Sequence, residues 1–252
     1  MNDEQLEKRK ILDTANRAYS QGIYQYTDFL SLTGLDLYAR MNKELSFIKS
    51  RTFGGYEGAE RQMVEFGSED LYGYPGTFPI TILYIHPLIK KFAENLEHRD
   101  FLGALMNLGI RRETCGDVVI DKGNHAAYVF TQDHMAEYIK DHLDTVRHTH
   151  VAIDILDEIP PLLKPKTETF ETLAASYRID AVCASLMKVS RSRVLAAFRA
   201  KEVFLNGRCI ENNSCNCKPD DVLVIRHFGK FILGEARETR SGRMQIKITK
   251  YI

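Results

Sequence analysis

Between Asp157 and Glu168 the chain reads DEIPPLLKPKTE, and three of its seven prolines fall within six residues. Proline fixes φ, lacks an N–H and pushes the preceding residue out of the helical region, so neither a helix nor the interior of a sheet is expected to run through this stretch. The 252 residues are therefore expected to fold as separate parts on either side of it, with 157–169 as a Pro-rich linker. Charge divides at the same place. Residues 170–252 carry 15 Lys and Arg against 8 Asp and Glu, whereas residues 1–169 carry 19 against 26. The overall net charge of zero thus conceals a basic part joined to an acidic one. A basic module of this size points to a polyanion, most often nucleic acid.

Hydrophobic residues at 44% and charged residues at 27% exclude a disordered, collagenous or rod-like chain. No apolar run approaches the roughly 20 residues that span a bilayer. The opening MNDEQLEKRK is charged throughout and has no apolar stretch of the kind found in a signal peptide, which predicts a cytoplasmic protein with no membrane partner. Cysteines 115, 183, 209, 215 and 217 are odd in number, and Cys215-x-Cys217 has the wrong spacing for a zinc site, so reduced thiols and no metal or cofactor are expected. His148-x-His150 offers two ligands with no third anchored to them, and Cys115 has no histidine at a spacing suited to nucleophilic work. Nothing in residues 1–169 demands catalysis.

The expected fold class is α+β. Residues 1–75 read as mainly helical: Leu6, Ile11, Leu12, Ala15 and Tyr19 recur near a 3.6-residue period, and Gly22 is a C-terminal stop. Thr27 or Asp28 is a candidate cap for a second helix, with Thr33-Gly34 interrupting it before the period resumes over Leu35–Leu45. The segment from Gly54 to Arg61 is a glycine loop leading into a strand, and it lacks the pattern of a nucleotide-binding loop. Residues 76–156 alternate as strand, helix, strand, strand, helix, strand. The elements are PITILYIHP, the helix His98–Leu108, strands at Asp117–Asp121 and His125–Phe130 joined by Lys122-Gly123-Asn124, a helix over Asp133–Val146, and a strand from His150 to Leu156. This is the βαββαβ order of a ferredoxin-like domain, a fold that serves RNA binding among many other purposes. Glu94, Glu97, His98 and Asp100 gather at the start of the first helix, where acidic side chains suit the dipole.

In residues 170–252, Ile179, Val182, Cys183 and Leu186 form one apolar helical stripe, and Ser190 is a predicted N-cap for a second helix whose Val194, Leu195 and Phe198 face the first. That capping leaves Arg191 and Arg193 in a first turn, where the dipole disfavours cations unless an anion is bound there. Glu202–Leu205 and Arg208–Ile210 flank Asn206-Gly207, a strong hairpin signal. Lys218-Pro219-Asp220-Asp221 is a further turn, leading into VLVIR, and Lys230–Arg237 and Met244–Thr249 flank a basic tip at Arg240–Arg243.

Four motifs, Arg178-Ile-Asp180, Ser190-Arg191-Ser-Arg193, Val203-Phe-Leu-Asn206-Gly207 and Lys218-Pro-Asp-Asp221-Val222, resemble in order and interval an S4 (α-L) RNA-binding domain. Two glycines usual in that pattern are replaced by Lys201 and Asp220, at positions that favour positive φ. The segments Gly54-Gly55-x-Glu57-x-Ala59-Glu60-Arg61 and Arg99-Asp100-Phe-Leu-Gly103 through Arg112-x-x-x-Gly116-Asp117 extend the resemblance to the bacterial YlmH family over nearly the whole chain. The resemblance implies a helical N-terminal region, a central RNA-binding domain and a C-terminal S4 domain in a non-enzymatic factor, with a monomer as the default expectation. It implies binding to rRNA of the large ribosomal subunit and to peptidyl-tRNA, in ribosome-associated quality control with C-terminal tailing, with another quality-control factor as a possible partner. The implied RNA contacts are Arg178, Asp180, Ser190, Arg191, Arg193, Lys201, Asn206, Gly207 and Arg208, with Arg99, Arg111, Arg112 and Lys122 as secondary contacts. The competing readings are an S4-targeted rRNA-modifying enzyme, for which no catalytic motif is found, and a division-linked scaffold.

Overall fold

The computed structural model describes residues 3–164 and 167–251, which gather into two compact units divided after Lys164. The first unit opens with helix α1 (Asp3–Gln21), closed by Gly22 at φ +67. Strand β1 (Gln25–Tyr26), helix α2 (Leu32–Arg40), strands β2 (Ser50–Phe53) and β3 (Met63–Phe66) and helix α3 (Glu69–Tyr72) follow, with the three strands ordered β1-β3-β2. The expected break at Thr33-Gly34 does not occur. Ser31 caps α2 by accepting the Gly34 N–H at 3.3 Å, so both residues lie in its first turn. Thr27, expected as a cap, instead accepts the Val64 N–H at 2.9 Å and stitches the chain to β3.

A five-stranded antiparallel sheet follows in the order β5-β6-β4-β8-β7, built from β4 (Ile80–Pro87), β5 (Cys115–Asp121), β6 (Ala126–Gln132), β7 (Thr145–Val146) and β8 (Thr149–Leu156). Helices α4 (His98–Asn107) and α5 (Asp133–His142) pack on one face. Asp100 accepts the Glu97 N–H at 2.8 Å, which explains the acidic cluster at the head of α4. Alternation along β4 sends Leu83 and Ile85 to the helices and Ile82 to the opposite face. There Ile82 and Phe130 meet Phe29 and Met63 of the N-terminal layer, together with Leu163. The two layers are joined closely. A Cβ on Gly55, which sits at φ +97, would lie 2.2 Å from Phe130 Cδ1, and one on Gly116 would lie 2.8 Å from Phe29 Cε1.

The second unit is one six-stranded antiparallel sheet, β11-β10-β12-β13-β14-β9, with two helices against it. Its elements are β9 (Thr167–Ala174), α6 (Ile179–Met187), α7 (Arg191–Arg199), β10 (Val203–Leu205), β11 (Arg208–Cys209), β12 (Val222–Ile225), β13 (Gly229–Glu238) and β14 (Met244–Tyr251). The apolar stripe of α6 and Val194 and Phe198 of α7 pack on Val203, Leu223, Phe231 and Ile246. Lys201 and Asp220 both adopt the left-handed conformation, at φ 57 and φ 67.

The stretch 157–169 is less of a linker than its prolines suggest. Pro161–Leu163 forms a turn of 3-10 helix whose Leu163 is 3% exposed within the first unit, and β9 begins at Thr167 and pairs with β14 through all eight of its residues. The alternating Thr-Glu-Thr-Phe-Glu-Thr suits an edge strand, with Phe170 turned to the core, and its polarity masked it in the sequence. Gly55→Ala is expected to destabilise the protein by about 2–4 kcal/mol, from strain at positive φ and the clash with Phe130, measured by urea denaturation.

Candidate nucleic-acid interface

The geometry around Asp180 organises the basic end of the second unit. Arg178 occupies the N-cap of α6 with extended backbone, and its guanidinium turns back onto the first turn. Nε donates to Asp180 Oδ1 at 3.3 Å and Nη2 to Oδ2 at 3.0 Å. The same carboxylate receives Nη2 of Arg191, the first residue of α7, at 3.5 Å. Asp180 is 5% exposed, whereas the arginine side chains are 39% and 48% exposed. A carboxylate this buried needs cationic partners, and here it has two. Ser214 Oγ accepts from Arg178 Nη2 at 2.9 Å, and Ser176 Oγ from Arg191 Nη2 at 3.4 Å. Neither serine was singled out by the sequence: Ser214 is 36 residues from the Arg178 it meets and Ser176 is 15 from Arg191.

Ser190 holds the N-cap position of α7, but its hydroxyl pairs with Ser192 Oγ at 2.9 Å and does not close on the helix N–H groups. Arg193 is exposed in the same first turn. Lys201, after α7, pairs with Glu211 at 3.2 Å through side chains that are both largely exposed, an ion pair of little net strength. Asn206 and Gly207 sit at φ 52 and φ 75, the two positive angles of a type I′ turn. Both amide atoms of Asn206 are occupied within the fold: Nδ2 donates to Asp221 Oδ1 at 2.8 Å and Oδ1 accepts the Val222 N–H at 2.8 Å. Asn206 therefore fixes the hairpin and is not an open contact. Asp180 likewise positions arginines and is itself withdrawn. Arg208 and Gly207 lie exposed on the hairpin.

The arginines of the first unit divide. Arg99 and Arg111 are largely exposed, paired with Glu97 at 3.2 Å and Asp28 at 3.5 Å, and Lys122 is exposed on the turn between β5 and β6. Arg112 is different: Nη1 donates to the carbonyls of Cys115 at 2.6 Å and Gly116 at 3.1 Å, and burial draws its pKa below the ordinary range. It is a structural clamp, a correction to its expected place among the RNA contacts. Arg61 does the same work from the other layer, donating to Cys115 O at 3.1 Å and Phe29 O at 2.8 Å, and burial, then the neighbouring Arg112, pulls its pKa down to about 10. Asp117 completes the joint by accepting the Tyr56 hydroxyl at 2.9 Å and the N–H groups of Glu60 and Arg61 at 2.8 and 3.1 Å.

A family model described as "Putative RNA-binding domain in YlmH" matches residues 76–158. The "Ribosome-associated protein quality control protein P2" of Bacillus subtilis (strain 168) is 28% identical over 181 residues, spanning 70% of this chain and 68% of that protein. Over residues 76–158, then, the chain matches the model of the YlmH RNA-binding domain. A solved structure titled "Cell division protein ylmH from Streptococcus pneumoniae" covers 62% of this chain and 92% of its own, at 19% identity and a TM-score of 0.49. The residues on which the YlmH resemblance rests, Gly55, Arg61, Arg112, Gly116 and Asp117, are those that lock the N-terminal layer to the central sheet.

Among the described residues no group of three or more His, Cys, Asp or Glu is arranged to hold a metal ion, and no helix is long and apolar enough to cross a membrane. Burial raises the pKa of Cys115, Cys183, Cys215 and Cys217, the reverse of what a thiolate nucleophile needs. A thiol reagent at pH 8 is therefore expected to leave Cys115, Cys183 and Cys217 unmodified until the protein unfolds, as mass spectrometry of the labelled protein would show. Asp180→Ala is expected to lower stability by about 1–3 kcal/mol by leaving two arginines without their shared acceptor, read from the urea midpoint.

Proposed function

We propose that this protein belongs to the YlmH family and is a non-enzymatic RNA-binding factor that grips rRNA, and the tRNA still held there, on the large ribosomal subunit, serving ribosome-associated quality control and C-terminal tailing. The reading takes the central unit as a ferredoxin-like RNA-binding domain and residues 170–252 as an S4 domain. The strand order β5-β6-β4-β8, with α4 and α5 on one face, supports the first. The family description of residues 76–158 as an RNA-binding domain supports the same assignment, and the name of the Bacillus subtilis relative supports the ribosomal setting.

The observation that carries the proposal is the buried Asp180 carboxylate holding Arg178 and Arg191 half-exposed beside Arg193 at the head of α7. Guanidiniums already fixed by a carboxylate and two serines lose little further entropy on meeting a phosphate, and the first-turn N–H groups of α7 add to the attraction. In this reading Lys201, Arg208 and the backbone at Gly207 extend the contact along the hairpin, with Ser190 at the head of α7 and Asn206 and Asp180 as positioning residues. Arg99, Arg111 and Lys122 are secondary contacts of the first unit. Contacts to phosphate position a protein without reading sequence, so selectivity comes from RNA shape.

The test is co-sedimentation with large subunits over a salt series, comparing the wild type with Arg191→Glu, Arg193→Glu. The wild type is expected to travel with the subunits at low salt and leave them as salt rises. The double variant is expected to bind at least tenfold more weakly, with a salt slope shallower by about 2. Equal binding by both proteins would rule out the S4 grip.

A further inference from the structure

The central sheet has a second face, and the N-terminal layer covers only part of it. Phe130 and Ile82 lie beneath that layer. One step along the same strands, Tyr128 of β6 and Tyr84 of β4 pair directly in register. Their rings stack with centroids 4.7 Å apart and planes inclined by 27°, and His86 stacks on Tyr84 at 5.2 Å and 27°. The result is a column of three parallel rings across two strands, each partly exposed.

A basic rim adjoins this column through a short chain of contacts. Asp121 Oδ2 lies 3.5 Å from the Tyr84 hydroxyl and accepts Asn124 Nδ2 at 2.7 Å, and Asn124 Oδ1 accepts Lys90 Nζ at 2.9 Å. Lys91, next in the chain, lies over the ring of Phe92, which is 73% exposed. Lys122 is on the same turn as Asn124. On the other side of the column, Asp154 Oδ2 lies 3.1 Å from His86 Nε2. None of these rings was singled out by the sequence reading, and of the three only Tyr128 packs against a core cluster: aromatic faces stacked and partly open beside three lysines are an arrangement that base stacking explains.

We propose that the Tyr128–Tyr84–His86 column is a stacking site for a base of single-stranded RNA, with the backbone of that strand running over the Lys90–Lys91–Lys122 rim. Asp121 and Asp154 fix the orientation. Carboxylates repel phosphate and accept N–H groups, so the strand lies base-inward, with an exocyclic amino group toward an aspartate. This rests on the RNA-binding reading above and deepens it by assigning a single-stranded segment to the first unit.

The experiment uses the full chain and an oligoadenylate carrying one central 2-aminopurine, whose fluorescence falls when the base stacks. The chain has no tryptophan to interfere. Binding by the wild type is expected to quench the probe, and the same oligomer annealed to its complement is expected to lose both affinity and quenching. Tyr84→Leu, Tyr128→Leu keeps apolar bulk on the sheet and is expected to weaken binding about tenfold and abolish quenching, with an unchanged circular dichroism spectrum. Should that variant fail to fold, His86→Ala at the exposed end of the column and Lys90→Glu, Lys91→Glu on the rim are each expected to weaken binding severalfold. Wild-type binding without quenching overturns the proposal, as does a folded Leu variant that still binds and quenches, and so does co-sedimentation with subunits by a protein that ignores the oligomer; all three leave the S4 reading intact. Failure to bind either subunits or oligomer removes both readings together.

Discussion

The first unit depends on the carboxylate of Asp117. It sits on β5 of the central sheet and takes three hydrogen bonds from the Tyr56–Arg61 loop of the layer beneath. Without that acceptor, two backbone N–H groups and a buried phenol would lose their partner, and the loop that brings Gly55 against Phe130 would lose its anchor. Arg61 and Arg112 reinforce the joint from opposite sides by sharing the Cys115 carbonyl. Burial lowers the pKa of Arg61, and the second guanidinium around the same carbonyl lowers it further. The joint covers part of the sheet face and leaves the ring column at its border.

The second unit solves a similar problem with opposite emphasis. In the first, Arg61 and Arg112 serve the fold and are partly withdrawn; in the second, a withdrawn aspartate serves the arginines. Asp180 is nearly inaccessible, and Arg178 and Arg191 fan out from it with serines limiting their motion. The basic character of the unit is thus partly organised before any ligand arrives, whereas Lys201 and Arg237 take part in exposed, weak pairs.

Much of this was legible in the sequence. The four long strands and two helices of residues 80–156 followed from alternation and helical period, although Thr145–Val146, expected at the end of the second helix, forms β7, and the type I′ turn at Asn206-Gly207 followed from its dipeptide. Positive φ at Lys201 and Asp220 was expected from a resemblance in which glycine usually stands there. Four things escaped. The start of α2 was missed because Thr33-Gly34 reads as an interruption until Ser31 is seen to cap it. Strand β9 was hidden by polar edge-strand residues beside prolines. Arg112 was read as a surface cation because spacing alone does not reveal that two carbonyls wait for it. The ring column was missed for a related reason: Tyr84, His86 and Tyr128 are distant in the chain or out of phase with the core, and only strand register brings them together.

The pairing of β9 with β14 has a temporal consequence. Thr167 is opposite Tyr251 and Ala174 is opposite Met244, so the strand that opens the second unit is bound along its whole length to the last strand described. During synthesis, β9 leaves the ribosome long before its partner is made, while every strand of the first unit already has its neighbours. Non-local pairing of this kind is slow and leaves strand edges exposed in the interval. The alternating threonines and glutamates of β9 suit that wait, because a polar edge strand stays soluble on its own. The half of the molecule that carries the Asp180 cluster is therefore completed in a single late step, and an unfinished chain has the first unit without the basic one.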